Sequence, residues 1–262
     1  MASNTELILR KYADAAKEDG RASESRADGL EFYYTEKLMS EYIKTDSDVV
    51  EIGCATGHYA ARFAGKCRSY LGIDAVPGHI ELFNKKIAET GLTNVRAEVG
   101  DAVALTALPD GAFDVVMSFG PIYHLPPDER ERAVAEAVRV CKPGGVAAFA
   151  YICKAGAYMW ACRQVKDKYP NANTNDCVLR RGISDDLPGL FFFTMPEEME
   201  ETAKRHGLKV IKNAGVDFAL HADLINGMDE EMFAAWLELS DFMVGSPSCA
   251  GMSNHALMIC EK

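Results

Sequence analysis

The rhythm of apolar and polar positions changes at Asp48. Before it, Leu38, Met39, Tyr42 and Ile43 recur at helical spacing. The pattern predicts two helices, over about residues 4–17 and 30–44, joined by the polar link "KEDGRASESRADG". After Asp48, short apolar runs alternate with amphipathic stretches. The runs "DVVEIG", "SYLGID", "NVRAEVGD", "AFDVVMSFG" and "VAAFAYI" read as strands. The stretches "AARFAGK", "PGHIELFNKKIAETG" and "PPDERERAVAEAVRVCKPGG" read as the helices between them, the second with Pro77 near its start and Gly91 at its stop. The last third is less regular. "AGAYMWACRQVKDKY" predicts a helix, "PNANTNDCVLRRGISDDLPG" a loop, and "TMPEEMEETAKRHG" a helix with a capping box of Thr194 and Glu197. "LKVIKNAGVDF" and "HALMICEK" read as two more strands, with the amphipathic helix "MDEEMFAAWLELSDFM" between them.

Strands that alternate with helices imply right-handed crossovers and a mostly parallel sheet covered on both faces. The strand runs lack two-residue alternation, as fully covered strands do. The expected architecture is α/β: a Rossmann-like, doubly wound sheet of seven strands, mostly parallel with an antiparallel last strand. N-terminal helices and helical lid insertions complete it. The expected division is a helical cap over 1–45 and a larger domain over 46–262. Its core is 46–152, with lids over about 153–195 and 221–254.

Composition narrows the classes. The chain has 262 residues and a net charge of −11, which argues against a nucleic-acid partner. It has no apolar run of about 18 residues, so no membrane span is expected. The first twenty residues lack a secretory pattern, and none of the eight cysteines stands in a C-x-x-C pair. A cytoplasmic protein without a metal site is the expectation. His58, His79, His206 and His221 form no metal-ligand spacing either.

The stretch "VVEIGCATGHYA" runs a strand into a tight turn and a helix, the usual cradle of a nucleotide-like ligand. A phosphate loop needs a Lys-Ser/Thr pair after its glycines, and none is present. A dinucleotide turn needs glycine where Ala55 and His58 stand. The actual spacing is Gly53-x-Ala55-x-Gly57, with Glu51 two residues earlier. This resembles motif I of the class I S-adenosylmethionine-dependent methyltransferases, with Ala55 replacing the middle glycine. Asp74 closes the second strand, "GDA" follows the third, "FGP" the fourth, and "VCKPGG" leads into the fifth, in the family's order.

The resemblance implies S-adenosylmethionine as the cofactor, leaving as S-adenosylhomocysteine. It implies a turn of Gly53, Cys54, Ala55 and Gly57 against the ligand, with Glu51 near its ammonium. It places Asp74 and Ala75 at the ribose, Asp101 and Ala102 at the adenine, and Phe119 near the methyl group. Cys54 reads as a small residue that fits, not a nucleophile. The segment "GPIYHL" resembles the "GPLYHL" variant of small-molecule-type enzymes, so the expected partner is a small-molecule acceptor. Monomer and homodimer both remain open.

Candidates on the acceptor side are Tyr123 and His124, beyond the fourth strand, then Tyr33 and His255. His124 is open between two roles: general base or substrate ligand, and cap of the next helix packed on Pro126. Tyr123 reads as a wall of the pocket. In "LEFYYTEKL", Phe32 and Tyr33 anchor a helix or bring one tyrosine over the sulfonium; Tyr12 is a similar candidate. His255 starts the last strand. Two other readings stay open: a non-catalytic cofactor-binding protein, and another transferase of the aminopropyl type on the same scaffold.

Overall fold

The computed structural model describes residues 4–165, 167–185, 187, 189–218 and 222–262. His221 lies outside the described residues. The described chain forms one seven-stranded sheet, in the order β3-β2-β1-β4-β5-β7-β6. Its strands are β1 (Asp48–Ile52), β2 (Ser69–Asp74), β3 (Val95–Val99), β4 (Phe113–Ser118), β5 (Cys141–Ile152), β6 (Lys209–Gly215) and β7 (His255–Glu261). Neighbours are parallel from β3 through to β5, and β7 runs antiparallel to both β5 and β6. The carboxyl ends of β1, β2, β4, β5 and β6 therefore share one edge with the start of β7. The chain leaves β1 in opposite directions, toward β2 and toward β4. That reversal opens a crevice at the shared edge, where open α/β sheets bind ligands.

The central strands are buried on both faces. Val49, Val50, Val116, Met117, Ala147 and Phe149 are closed to solvent. The crossover helices are α4 (His58–Phe63), α5 (Pro77–Thr90) and α7 (Pro127–Val140). α5 starts with Pro77 at its first turn and stops at Gly91 in the left-handed region, the expected punctuation. α7 ends at Val140 rather than running through Pro-Gly-Gly. Cys141–Gly145 instead extends β5, because Ala112 N–H donates to Val140 O and Gly144 N–H to Lys262 O.

The N-terminal region also departs from expectation. It folds as α1 (Asn4–Lys11), α2 (Ala15–Gly20), a 3₁₀ turn over Arg21–Ser23, and α3 (Arg26–Met39). The polar link is thus mostly helical. Asp14 and Ser25 cap α2 and α3 by accepting from Lys17 N and Asp28 N, a local signal that charge density masked.

The four-residue α6 (Pro121–His124) lies between β4 and α7, and α8 (Lys154–Gln164) follows β5. The predicted loop contains α9 (Ala172–Thr174) and a π-helical turn over Asn175–Arg181. Asn171 starts it by accepting from Thr174 N. α10 (Pro196–Arg205) is capped by Glu198, not Glu197; its carboxylate accepts from Met195 N at 3.0 Å and Thr194 Oγ1 at 2.8 Å. α11 (Ala222–Asn226) and α12 (Glu230–Gly245) brace α3. Asn226 accepts from Ala27 N, Tyr34 donates to Leu237 O, and Lys37 pairs with Asp241. No helix among the described residues is long and apolar enough to cross a membrane.

Candidate active site

The crevice at the sheet edge is a cavity of about 940 Å³. One wall is made by strand ends. After β1 the chain turns sharply: Gly53 N–H and Cys54 N–H both donate to Ile73 O. Gly53 has φ +87°, and a Cβ there would lie 2.0 Å from Phe119 O. Glycine is thus required for the turn to pass the end of β4. Gly57, at φ +85°, is needed for another reason: a Cβ would strike the Phe83 ring on α5 at 2.4 Å. It is not among the lining residues, so its glycine serves packing beneath the turn. Ala55 takes φ +45°, a region alanine disfavours. Asp74 holds it there, accepting from Ala55 N at 2.8 Å and from Val76 N at 2.8 Å.

Glu51, Gly53, Cys54, Ala55, Asp74, Ala75, Asp101, Ala102 and Phe119 all line this cavity. Glu51 is 1% exposed, and its hydrogen-bond partner among the described residues is Tyr70, whose hydroxyl donates at 2.5 Å. Burial pushes its carboxyl up to about 8, against the Tyr70 bond and with help from Asp74. A carboxyl with unused acceptor sites in a closed wall suits a ligand cation. Burial also raises the Cys54 thiol, which keeps it protonated. Asp101 accepts from Val103 N at 3.0 Å and stands at the mouth after β3. His79 lies beneath Asp74, with Nδ1 at 3.3 Å from Oδ1.

The opposite wall is the N-terminal cap and the segment after β5. Asp19 of α2 reaches both Thr56 in the turn, at 2.7 Å, and Lys86 of α5. Glu36 of α3 meets His58 at 2.9 Å, and Phe32 packs on the His58 ring. Tyr12 places its hydroxyl 2.9 Å from His124 Nε2. The other nitrogen of that ring, Nδ1, donates to Leu190 O at 2.8 Å. His124 is therefore neutral, with both nitrogens engaged, and burial holds its value down to about 4. It fastens α1 and the 190 segment to the end of β4.

Tyr123 lines the cavity between the His124 and His255 rings, and burial keeps its phenol protonated. Tyr33 is not brought to the site. It is 46% exposed and packs on Tyr34 and Lys37, because its neighbour Phe32 takes the inward direction on α3 instead. His255 does line the cavity, within a cluster that no motif announced. Its Nδ1 is 2.9 Å from Asp217 and 3.5 Å from Glu31, and Arg21 bridges Glu31 and Glu18. The one available signal was position: Asp217 follows β6 at the ligand edge. Trp160, Val178, Phe191 and Phe193 give this side an apolar face. Of the second expected lid, Ala222 and Asn254 line the cavity. Among the described residues no group of His, Cys, Asp and Glu is placed to hold a metal ion.

Residues 49–145 match the family model described as a methyltransferase domain. This central part of the chain is similar to methyltransferase domains, in line with the resemblance of its strand-end motifs. The chain is 31% identical over 126 residues to an uncharacterized methyltransferase, YcgJ, of Bacillus subtilis, covering 44% of this chain and 49% of that one. It is 33% identical over 106 residues to the 2-heptyl-1-hydroxyquinolin-4(1H)-one methyltransferase of Mycobacteroides abscessus, covering 40% and 46%. The chain spans about half the length of these curated relatives. The fold also matches the crystal structure of the [4+2]-cyclase SpnF, with a TM-score of 0.58 and 20% identity, over 87% of this chain and 80% of that one. The cavity fits the family's cofactor: its size suits a ligand of that class, and buried Glu51 provides the acid a ligand ammonium would meet.

Proposed function

We propose that the protein transfers a methyl group from S-adenosylmethionine to a small-molecule acceptor and releases S-adenosylhomocysteine. The observation that carries this reading is the strand-end wall, where Glu51, Asp74 and Asp101 line one cavity at the switch between β1 and β4. In this reading Glu51 faces the ligand's ammonium, Asp74 accepts from the ribose hydroxyls, and Asp101 and Ala102 hold the adenine. The bound cofactor supplies an activated, cationic methyl donor. The protein aligns the acceptor and excludes water. Tyr12, Asp19 and Phe32 of the cap close over the donor, and Tyr123 walls the acceptor. His124 serves by fastening the cap, since neither ring nitrogen is left for a substrate.

The acidic surface and the enclosed cavity favour a small molecule over nucleic acid. The relative that acts on a hydroxyquinolinone supports the same class of acceptor. The fold alone does not fix the reaction, as the cyclase on a similar scaffold illustrates. Calorimetric titration with S-adenosylhomocysteine tests the reading. Wild type binds, and Asp74→Ala loses about tenfold or more in affinity, the worth of one or two hydrogen bonds to a charged acceptor. No binding by wild type, or equal binding by the variant, sinks it.

A further inference from the structure

Two histidines line the acceptor side, and only one is built to take a proton. His124 has both nitrogens occupied. His255 starts β7 at the ligand edge, beside the end of β6. Its Nδ1 is 2.9 Å from Asp217 Oδ2. Two carboxylates, which only accept, face Nδ1, and Asp217 is nearer than the Asn254 amide nitrogen at 3.3 Å; Nδ1 therefore carries the hydrogen and the neutral ring keeps its lone pair on Nε2. That nitrogen has no hydrogen-bond partner among the described residues.

We infer that His255 Nε2 is the general base of the proposed transfer, that Asp217 positions it, and that the acceptor is a hydroxyl compound with an apolar body. This rests on the methyltransferase reading above. The acceptor oxygen forms its bond to the methyl carbon as the carbon–sulfur bond breaks, and that electron pair stays on sulfur. The hydroxyl proton passes to Nε2 and leaves later to solvent. The imidazolium so formed sits between Asp217 and Glu31, 2.9 and 3.5 Å from Nδ1.

The groups around the ring come from several elements. Glu31 is on α3, Arg21 on the turn before it, Glu18 on α2, Tyr123 on α6, and Asp217 follows β6. Burial opposes charge on His255, but Glu31 and Asp217 outweigh it and hold the ring above the ordinary histidine value. Arg21 already occupies Glu18 and Glu31, and His255 occupies Asp217. The cluster therefore offers a hydroxyl a base rather than an ammonium a counter-ion. Phe191, Phe193, Val178 and Trp160 face the same space and accommodate an apolar body.

The test uses the whole chain with S-adenosylmethionine and two acceptors, 2-naphthol and 2-naphthalenethiol. The thiol ionises near neutral pH without help; the naphthol does not. His255→Gln should lower kcat on naphthol about 100-fold or more, the usual worth of a general base, and affect the thiol far less. On naphthol, kcat/KM should rise with pH as His255 loses its proton. Asp217→Asn should move that rise to lower pH, which a merely structural role would not do. Nitrogen NMR of His255 should find hydrogen on Nδ1. Equal loss on both acceptors, an unmoved pH profile, or hydrogen on Nε2 overturns the base. No transfer to naphthol by wild type overturns the acceptor class. Failure of wild type to bind S-adenosylhomocysteine overturns the underlying reading, and the inference with it.

Discussion

The two walls of the cavity are built by different means. The strand-end wall comes from short segments, each following its own strand. Its turn is held by contacts such as Asp74 on Ala55 N and Gly53 against Phe119 O. The cap wall comes from residues far apart in the chain. Tyr12 meets His124, Asp19 meets Thr56, and Glu31 meets His255. The first wall is backbone fixed by the sheet it ends. The second is a set of side-chain links between distant segments. The difference teaches where polarity is stored: the scaffold buries Glu51 and Asp74 at its strand ends, and the cap buries polar groups paired with each other.

The largest expected effect tests the buried acid. Glu51 has an ordinary carboxyl in the unfolded chain and one pushed up to about 8 when folded. Between those values the unfolded state releases a proton that the folded state keeps. Stability of the empty protein therefore falls as pH rises through that window, by roughly 4–5 kcal/mol once pH is above 8. Glu51→Gln removes the liability. The variant should be several kcal/mol more stable than wild type in urea at pH 8.5 and differ much less at pH 5. It should also bind S-adenosylhomocysteine more weakly. A variant that is no more stable at high pH, or that binds equally well, would break the contrast between the walls.

The next effect has the opposite sign and belongs to the cap. His124 is held down to about 4 by burial, below its unfolded value of 6.5. Between pH 6.5 and 4 the unfolded state gains a proton that the folded state refuses. Stability is present above 6.5 and lost as pH falls through the folded value, a change of about 3 kcal/mol. His124→Gln should flatten that acid slope in urea unfolding measured from pH 7 to 4.5. His255 contributes the reverse: its stability is present below 6.5 and lost as pH rises through its higher folded value. An acid slope that survives His124→Gln would mean that another group carries it.

The contrast also explains what the sequence could tell. The positions of the strands and the turn of Gly53 were legible because each depends on neighbours a few residues away. Residue spacing marked Asp74 and Asp101 at strand ends for the same reason. Gly57 was legible as a glycine, but its purpose was not, because Phe83 lies on another helix. Tyr33 was misplaced because a step of one residue around α3 decides whether Phe32 or Tyr33 points inward, and Phe32 is the one that packs on His58. The cluster of Arg21, Glu31, Asp217 and His255 left no local trace. Its members come from four segments: the pairing of β6 with β7 brings Asp217 to His255, and the N-terminal cap brings Glu31 and Arg21 to them. Charge density likewise hid how far α2 and α3 reach into the N-terminal link, with Asp14 and Ser25 as their caps.

The smallest effect asks whether the cap wall really closes over the donor. Tyr12 packs edge-on against the His124 ring with centroids 5.2 Å apart, and its hydroxyl bonds Nε2. Tyr12→Phe keeps the ring contact and removes one hydrogen bond, at a cost of about 1 kcal/mol. If the bond forms equally with and without ligand, the whole loss appears in stability and none in affinity. If the cap opens in the empty protein and this bond forms only on closing, the same energy appears as weaker binding of S-adenosylhomocysteine, about fivefold. The two walls differ in kind only in the second case. The expected outcome is the fivefold loss with little change in the urea midpoint of the ligand-free protein. A shifted midpoint with unchanged affinity would make the cap as preformed as the strand ends it covers.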